Sequence, residues 1–497
     1  MNHQHSPKLA KSALLMLVTR LIINTLGIVS SLVLVRILSP QDFGIAAIAM
    51  SLYSLVSLFG DFGLNTALIQ KNKLEKSDYD TGFTINLIFG VVACLFFVIM
   101  ANTISVFFED PRLEPVIYAV SSLFVISSFK NIKVVDFQIE MNFHLELKLQ
   151  VIPKLISFFG TLLMAYLLES YWALIFGSLL VTLLNVTFSY VMLPYMPSLS
   201  LKGVRTLFNF SKWIMLNNLF YYLNNKSVDL IVGKFISTSA AGIYSISKEM
   251  ATLPATEIAA PINKASYPAY AKQKSNFEAL RELFYQTTSM ITVIALPASL
   301  GLMITADYFV PTVLGDKWMS AIPVIQLLSV FAFISSVSSN NGYIFLALGK
   351  PKVTTLISAI RILSFFGFLF GLNLIENIEG PALALILSSI VNLFVSYFLV
   401  RREISISITK TVVTNMRAIL SALAMCIMLF LVKHYLNFDV SLFTFLLLVL
   451  LGAVFYSGFI LTAWVYSGKP ESVESLVAEK LSQTFGKFKV SMKKRTY

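Results

Sequence analysis

Four basic residues stand inside long apolar runs: Arg20, Lys226, Lys248 and Arg361. A cation at mid-bilayer costs at least about 3 kcal/mol unless it is paired or hydrated, so each needs a partner or water. Gathered around a hydrated cavity, they would hold an anionic group of a substrate, with an attraction stronger than in bulk water. Four carboxylates share the setting: Asp61, Asp229, Glu249 and Glu257. A carboxylate there can bind a proton or a sodium ion and couple movement to a gradient. The alternative is structural pairing, Arg20 with Asp61, and Lys226 with Asp229 three residues away on one helix face. Asn217, Asn218, Asn224 and Asn225 make the segment around Lys226 too polar for lipid and mark it as the wall of a wet cavity.

Nothing in the chain has the spacing of a catalytic centre. There is no phosphate-cradling glycine loop followed by lysine, no His-Glu-x-x-His and no nucleophile elbow. Cys94 and Cys426 each sit in an apolar run, and His3, His5, His144 and His434 do not cluster. Hence no catalytic residue, no metal, no cofactor and no enzyme activity is expected.

The elements that must position these residues follow from composition. Of 497 residues, 57% are hydrophobic and 13% charged, against about 25% charged in a soluble domain. That excludes a soluble enzyme and disorder, and leaves an all-α polytopic membrane protein. Runs of about 20 apolar residues fall near 12–36, 42–69, 78–107, 113–135, 149–168, 171–194, 207–233, 239–262, 281–306, 320–347, 352–374, 380–400, 411–434 and 441–466, about 14 spans with soft edges. The formal charge is +12, but lysine and arginine recur in alternate connections. Lys71, Lys73 and Lys76, then Lys202, Arg205 and Lys212, then Arg401 and Arg402 fall on one side. The turns between, such as Glu109-Asp110-Pro111, are short and acidic. This alternation predicts cytoplasmic N- and C-termini and gives the positive charge a topological role, with no nucleic-acid partner. Ser12–Val35 lacks a cleavage site and reads as the first permanent span. Pro254, Pro261, Pro268, Pro297 and Pro323 interrupt or flank later spans and would hinge or statically kink them.

A weak repeat relates the two halves. Shifted by 198 residues, Arg36-Ile37-Leu38-Ser39 faces Lys234-Phe235-Ile236-Ser237, and Gly44-Ile45 faces Gly242-Ile243. Asn65 faces Asn263 and Ala67 faces Ala265. Parallel repeats typify transporters with two bundles around a cavity. The expected organisation is a six-helix bundle over 1–200, a second over 201–405, two further spans over 406–467 and a basic tail over 468–497. The tail's Val473, Leu476, Val477, Leu481, Phe485 and Phe488 line one face of a surface helix.

Several segments resemble the polysaccharide-exporting flippases of the Wzx type, in the superfamily that includes the MATE transporters. They are LVRILSPQDFGI (34–45), DFGLNTALIQ (61–70), IVGKFISTSAAGIYS (231–245), YPAY (267–270), LGDKW (314–318) and ALGK (347–350). The colanic- and teichuronic-acid exporters are the most similar subgroup. The resemblance implies two six-helix bundles in a V around a cavity, with two extra C-terminal helices. It implies a flippase of the bacterial cytoplasmic membrane that moves an undecaprenyl-pyrophosphate-linked oligosaccharide. The product would be a capsule, an exopolysaccharide or a lipopolysaccharide O-antigen, and the partners the pathway's polymerase and glycosyltransferases. The cavity cations would be Arg20, Lys226, Lys248 and Arg361. A cation-coupled multidrug exporter and a polysaccharide polymerase are the alternatives.

Overall fold

The computed structural model of the chain describes residues 5–60, 68, 74–140, 142–202, 218–220, 222–224, 226–436, 438–468 and 475. Asp61, Asn65, Ala67, Asn217, Asn225 and the expected amphipathic tail, Ser475 apart, lie outside the described residues. Every described regular element is helical. In chain order they are α1 (His5–Ile37), α2 (Pro40–Gly60), α3 (Lys76–Phe108), α4 (Leu113–Ser128), α5 (Asp136–Ile139), α6 (Phe143–Leu168), α7 (Trp172–Met192), α8 (Ser227–Phe235) and α9 (Thr238–Lys272). Then come α10 (Phe277–Phe309), α11 (Ala321–Ala347), α12 (Pro351–Gly371), α13 (Gly380–Ile404), α14 (Ile408–Leu436) and α15 (Leu442–Tyr466).

Among the described residues, 11 helices are long and apolar enough to cross a membrane, or 12 if α4 and the turn beyond it form one span bent by 68°. The chain is a multi-pass membrane protein. The difference from about 14 spans has local causes. Nearly half of the 207–233 run falls on undescribed residues, and its described helix, α8, is too short to span. The 239–262 run is helical, as α9, but carries Lys248, Glu249 and Glu257 and so is not apolar enough to count. The 113–135 run breaks at Asn131. That fully buried side chain accepts from the Lys133 amide (2.9 Å) and donates to the Ser189 and Leu193 carbonyls (3.1 and 2.7 Å), fastening the break to the end of α7.

The chain divides into two compact units, residues 1–245 and 246–497, with the boundary inside α9. In the first unit α3 lies along α4, α6 packs on α1 and α7, and α8 packs on α2. The turn from α1 to α2 is closed by Ser39 and Asp42. The Ser39 hydroxyl accepts from the Asp42 amide (3.3 Å), while the Asp42 carboxylate accepts from the Ser39 amide (2.9 Å) and from the Tyr171 amide (3.0 Å). These bonds satisfy donors that a helix start leaves open. One repeat length later, the Ser237 hydroxyl accepts from the Ala240 amide (3.0 Å) and starts α9 in the same way.

The two turns meet. A Cβ on Gly44 would lie 1.8 Å from the Thr238 carbonyl oxygen, and a Cβ on Gly242 would lie 1.9 Å from the Pro40 carbonyl oxygen. Pro40 and Thr238 are repeat equivalents, as are Gly44 and Gly242, so the contact is reciprocal. Only glycine lets the helix backbones approach this closely, as small residues do at membrane helix crossings.

At the far end of the first unit, Asp80 is buried and accepts from the Tyr195 hydroxyl (2.5 Å), the Ser198 amide (3.0 Å) and the Ser198 hydroxyl (2.5 Å). Thr84 accepts from the Ser200 amide (2.9 Å), and Thr81 donates to the Lys202 carbonyl (2.6 Å). The extended chain after α7 is thereby stitched to the first turns of α3. Burial and the neighbouring carboxylate push the Tyr195 phenol above its ordinary range. Removing Asp80 strands three donors, at about 1–3 kcal/mol for each group left buried. Asp80→Ala is therefore expected to lower the thermal midpoint in detergent by several degrees, with Asp80→Asn falling between it and the parent. An alanine variant as heat-stable as the parent would remove Asp80 from the scaffold.

In the second unit α10 is central, flanked by α11 on one side and by α14 and α15 on another, while α13 packs on α11 and α12. The last two helices share an apolar core with α10 through Leu296, Tyr308, Met425, Leu429, Leu448 and Tyr456. Lys433 binds the Asp307 carboxylate (2.7 Å) and the Ile304 carbonyl (2.7 Å), tying α14 to α10. A polar seam crosses the bundle. The Tyr270 hydroxyl donates to Asn340 (2.9 Å), Asn340 to Thr288 (2.9 Å), Asn341 to Ser396 (2.7 Å) and Asn263 to Ser339 (2.7 Å). Such interhelical bonds hold helices together where the lipid removes any hydrophobic drive between them.

Candidate functional site

Arg20 is half-buried on α1 and lines a recess of about 270 Å³ with Thr19 and Asn24 of its own helix and Glu146 and Gln150 of α6. At 1.5 Å per residue, Arg20 lies roughly 25 Å from the α2 end of α1, so the recess belongs to the half of the unit that holds Asp80. Among the described residues the guanidinium has no carboxylate within pairing distance, and the Arg20–Asp61 strut lies outside them. The Glu146 carboxylate is asymmetric. Its Oε1 accepts from the Gln138 and Gln150 side-chain amides (3.0 and 3.2 Å), while its Oε2 is buried without a hydrogen-bond partner.

Lys226 and Asp229 do not neutralise each other. Lys226 precedes the first turn of α8 with its side chain exposed. Asp229 is only 3% exposed and accepts from the Ser51 hydroxyl of α2 (3.2 Å). Helix twist explains this: Asp229 falls on the face of α8 that packs on α2, while Lys226 precedes the helix. Asn224 donates to the Phe220 carbonyl one turn back (2.9 Å), and Asn218 is partnered.

The remaining candidates belong to the second unit. Lys248, Glu249 and Glu257 are half-buried on α9, and none of them stands free. Arg361, on α12, lies over the Phe331 ring of α11, 5.3 Å from its centroid, a cation–π contact that lowers the cost of a guanidinium among apolar neighbours. Within the first unit, the Arg20 recess and the Asp229 contact are separate features.

At the α2 end of the first unit, Asp110 accepts from the Arg112 amide and guanidinium (3.1, 2.9 and 2.7 Å) and from the Thr238 hydroxyl (3.0 Å). Burial works against its ionisation, yet these donors hold the carboxyl below the usual carboxylate range. Glu109, fully in solvent, is lowered by the Lys234 ammonium 2.9 Å away. The first contact braces the start of α9 and the second the end of α8, beside the glycine crossing.

The second unit also holds an apolar recess of about 630 Å³ between α10, α14 and α15, lined by Pro297, Gly301, Met425, Leu429, Gly452 and Tyr456 among others. Thr305, Tyr456 and Ser457 are its hydroxyl-bearing residues. Such a lining suits hydrocarbon and offers little to a charged group.

Residues 33–323, more than half of the chain, match the model of a family described as "Polysaccharide biosynthesis protein". The chain belongs to that family. It is 27% identical to the lipopolysaccharide biosynthesis protein WzxC of Escherichia coli, over 78% of this chain and 80% of that one. It is 22% identical to the teichuronic acid biosynthesis protein TuaB of Bacillus subtilis, over 74% and 77%. Among solved structures it superposes on a lipid II flippase, MurJ, in an inward closed conformation, with a TM-score of 0.74 at 14% identity, covering 91% of this chain and 99% of that one. An inward-facing multidrug transporter of the MATE family gives a TM-score of 0.56 at 12% identity, over 77% and 94%. At such identities the likeness establishes a shared fold.

The recess at Arg20 was half legible in the sequence. Glu146 was missed because it stands between His144 and Lys148, in what reads as a basic connection before a span starting at 149. The helix starts at Phe143 instead. The signal that was present is the Glu146-x-x-x-Gln150 spacing, which puts both side chains on one helix face.

Proposed function

We propose that the protein is a flippase that moves undecaprenyl-pyrophosphate-linked oligosaccharide units across the bacterial cytoplasmic membrane for polysaccharide assembly, by alternating access. The observation that carries this reading is the match to the polysaccharide biosynthesis family, in a chain of membrane-length helices that also carries ionisable side chains within its apolar runs. A lipid-linked glycan is amphiphilic, and the chain offers both kinds of surface: a charged recess in the first unit and an apolar one in the second. Arg20, Lys226, Lys248 and Arg361 are the cations assigned to its polar head, and Asp61, Asp229, Glu249 and Glu257 the carboxylates available to a coupling proton or sodium ion. The N- and C-termini are assigned to the cytoplasm from the loop charges. The pathway's polymerase and glycosyltransferases are the partners this role requires.

The MATE fold favours a second reading, export of cationic drugs. Cations projecting from apolar helices argue against it, since they repel such cargo. Reconstitution into vesicles separates the two. Purified protein is expected to expose a fluorescent lipid-linked oligosaccharide to an outside probe on both leaflets, and to leave a cationic dye untransported. Dye transport without glycan movement would reverse the assignment.

A further inference from the structure

Resting on the flippase reading, we propose that the recess between α1 and α6 is a sugar-binding subsite. In it Glu146 Oε2 accepts from a sugar hydroxyl and the Arg20 guanidinium donates to oxygens of the same ring. The subsite takes a neutral, hydroxyl-bearing residue of the glycan, and the diphosphate binds elsewhere.

Three observations carry this. The first is charge. Among the described residues that line the recess, Arg20 and Glu146 offset each other's formal charge; the Lys130 ammonium, which also acts on Glu146, is not part of that lining. A diphosphate placed in it would meet a carboxylate as well as a guanidinium, and like charges at close range oppose binding. A sugar has no net charge to be repelled.

The second is the state of the carboxylate. Gln138 and Gln150 hold Oε1 from two directions, which orients the group, while Oε2 is buried and bare. A bare buried carboxylate oxygen is costly until a donor reaches it. Arg20 shares the recess without forming an ion pair among the described residues, which leaves Oε2 open to a donor from a ligand or from water. A hydroxyl is suited to the gap because it donates and accepts at once, accepting from a guanidinium N–H while its own O–H donates a hydrogen bond to Oε2. Hydrogen bonds to an ionised acceptor are roughly twice as strong as neutral ones, so one such contact discriminates well.

The third is size. The recess of about 270 Å³ equals about nine waters at roughly 30 Å³ each. That accommodates one sugar ring with Thr19, Asn24 and Gln150 as further polar contacts.

The test uses full-length protein in detergent and two probes: undecaprenyl pyrophosphate bearing one neutral hexose, and undecaprenyl pyrophosphate alone. Glu146→Ala is expected to weaken binding of the sugar-bearing probe about tenfold, the equivalent of 1.4 kcal/mol, and to leave the bare probe within twofold. Glu146→Gln keeps the shape and one acceptor oxygen, so its loss is smaller, about threefold, and again confined to the sugar-bearing probe. An equal loss on both probes, or none on either, overturns the subsite. If the alanine variant does not fold, the glutamine variant decides alone on the same criterion. A parent protein that moves lipid-linked glycan while Glu146→Gln binds both probes normally refutes the subsite and leaves the flippase reading standing. A parent that binds neither probe refutes both.

Discussion

Replacing Arg20 and Lys226 together by alanine is expected to abolish movement of the lipid-linked oligosaccharide. Each side chain brings charged N–H donors to the polar part of the substrate, and charge-assisted bonds are worth about 1.5–3 kcal/mol apiece. Losing both removes roughly 3–6 kcal/mol, a factor of 100 or more in affinity at 1.4 kcal/mol per decade. Neither change should unfold the protein. Lys226 is exposed just before the start of α8, and Arg20 makes no ion pair among the described residues, so no buried partner is stranded. The single variants are expected to lose about tenfold each, and Arg20→Lys to recover only part of the loss, because a point charge lacks the planar fork of a guanidinium. The measurement is the initial rate of glycan movement in vesicles, beside export in cells at native protein levels. A double variant with the parent's rate would take both cations out of the substrate path.

The second large effect is expected at the glycine crossing. In Gly44→Ala the new methyl would stand 1.8 Å from a backbone carbonyl oxygen, and in Gly242→Ala 1.9 Å. No rotamer relieves a clash between Cβ and a main chain, so α2 and the start of α9 must separate. Overpacking of this kind costs about 1–3 kcal/mol, and the helix preference of alanine over glycine returns at most about 1 kcal/mol. Separation would also pull Thr238 from Asp110 and strain the Ser39 and Ser237 caps. Each single variant is expected to lower the thermal midpoint in detergent by several degrees. Because either methyl already forces the helices apart, the double variant should lose clearly less than the sum of the two. Strict additivity would mean that the two glycines do not share one contact.

These outcomes bear on how far a sequence can be read. The membrane class and most of the spans follow from apolar runs alone, since a bilayer leaves so few solutions. The repeat was visible as a row of matches, and its weight lay in Gly44 and Gly242, which touch, and in Ser39 and Ser237, which each cap their own helix in the same way. Partners across the fold were less visible. Asp80 sits inside a span that read as apolar, and its three donors come from a stretch more than a hundred residues later. Lys226 and Asp229 have the spacing of an ion pair, yet the start of α8 falls between their roles, sending one to solvent and the other against Ser51. Glu146 was hidden by the soft edge of a span, because a charge near a helix end reads equally as solvated loop. A pattern of spacings records which residues share a face, whereas the neighbour across that face depends on how helices distant in sequence are laid side by side.

The crossing of α2 with α9 carries an evolutionary consequence. Position 40 meets 242 just as 44 meets 238, which is the signature of an isologous interface, where one patch binds its own copy. Two molecules of a half-length ancestor would have formed this contact by self-association, with every substitution felt twice. On a single chain the two copies are free of that constraint, and Asp42 stands where the other copy has Ala240.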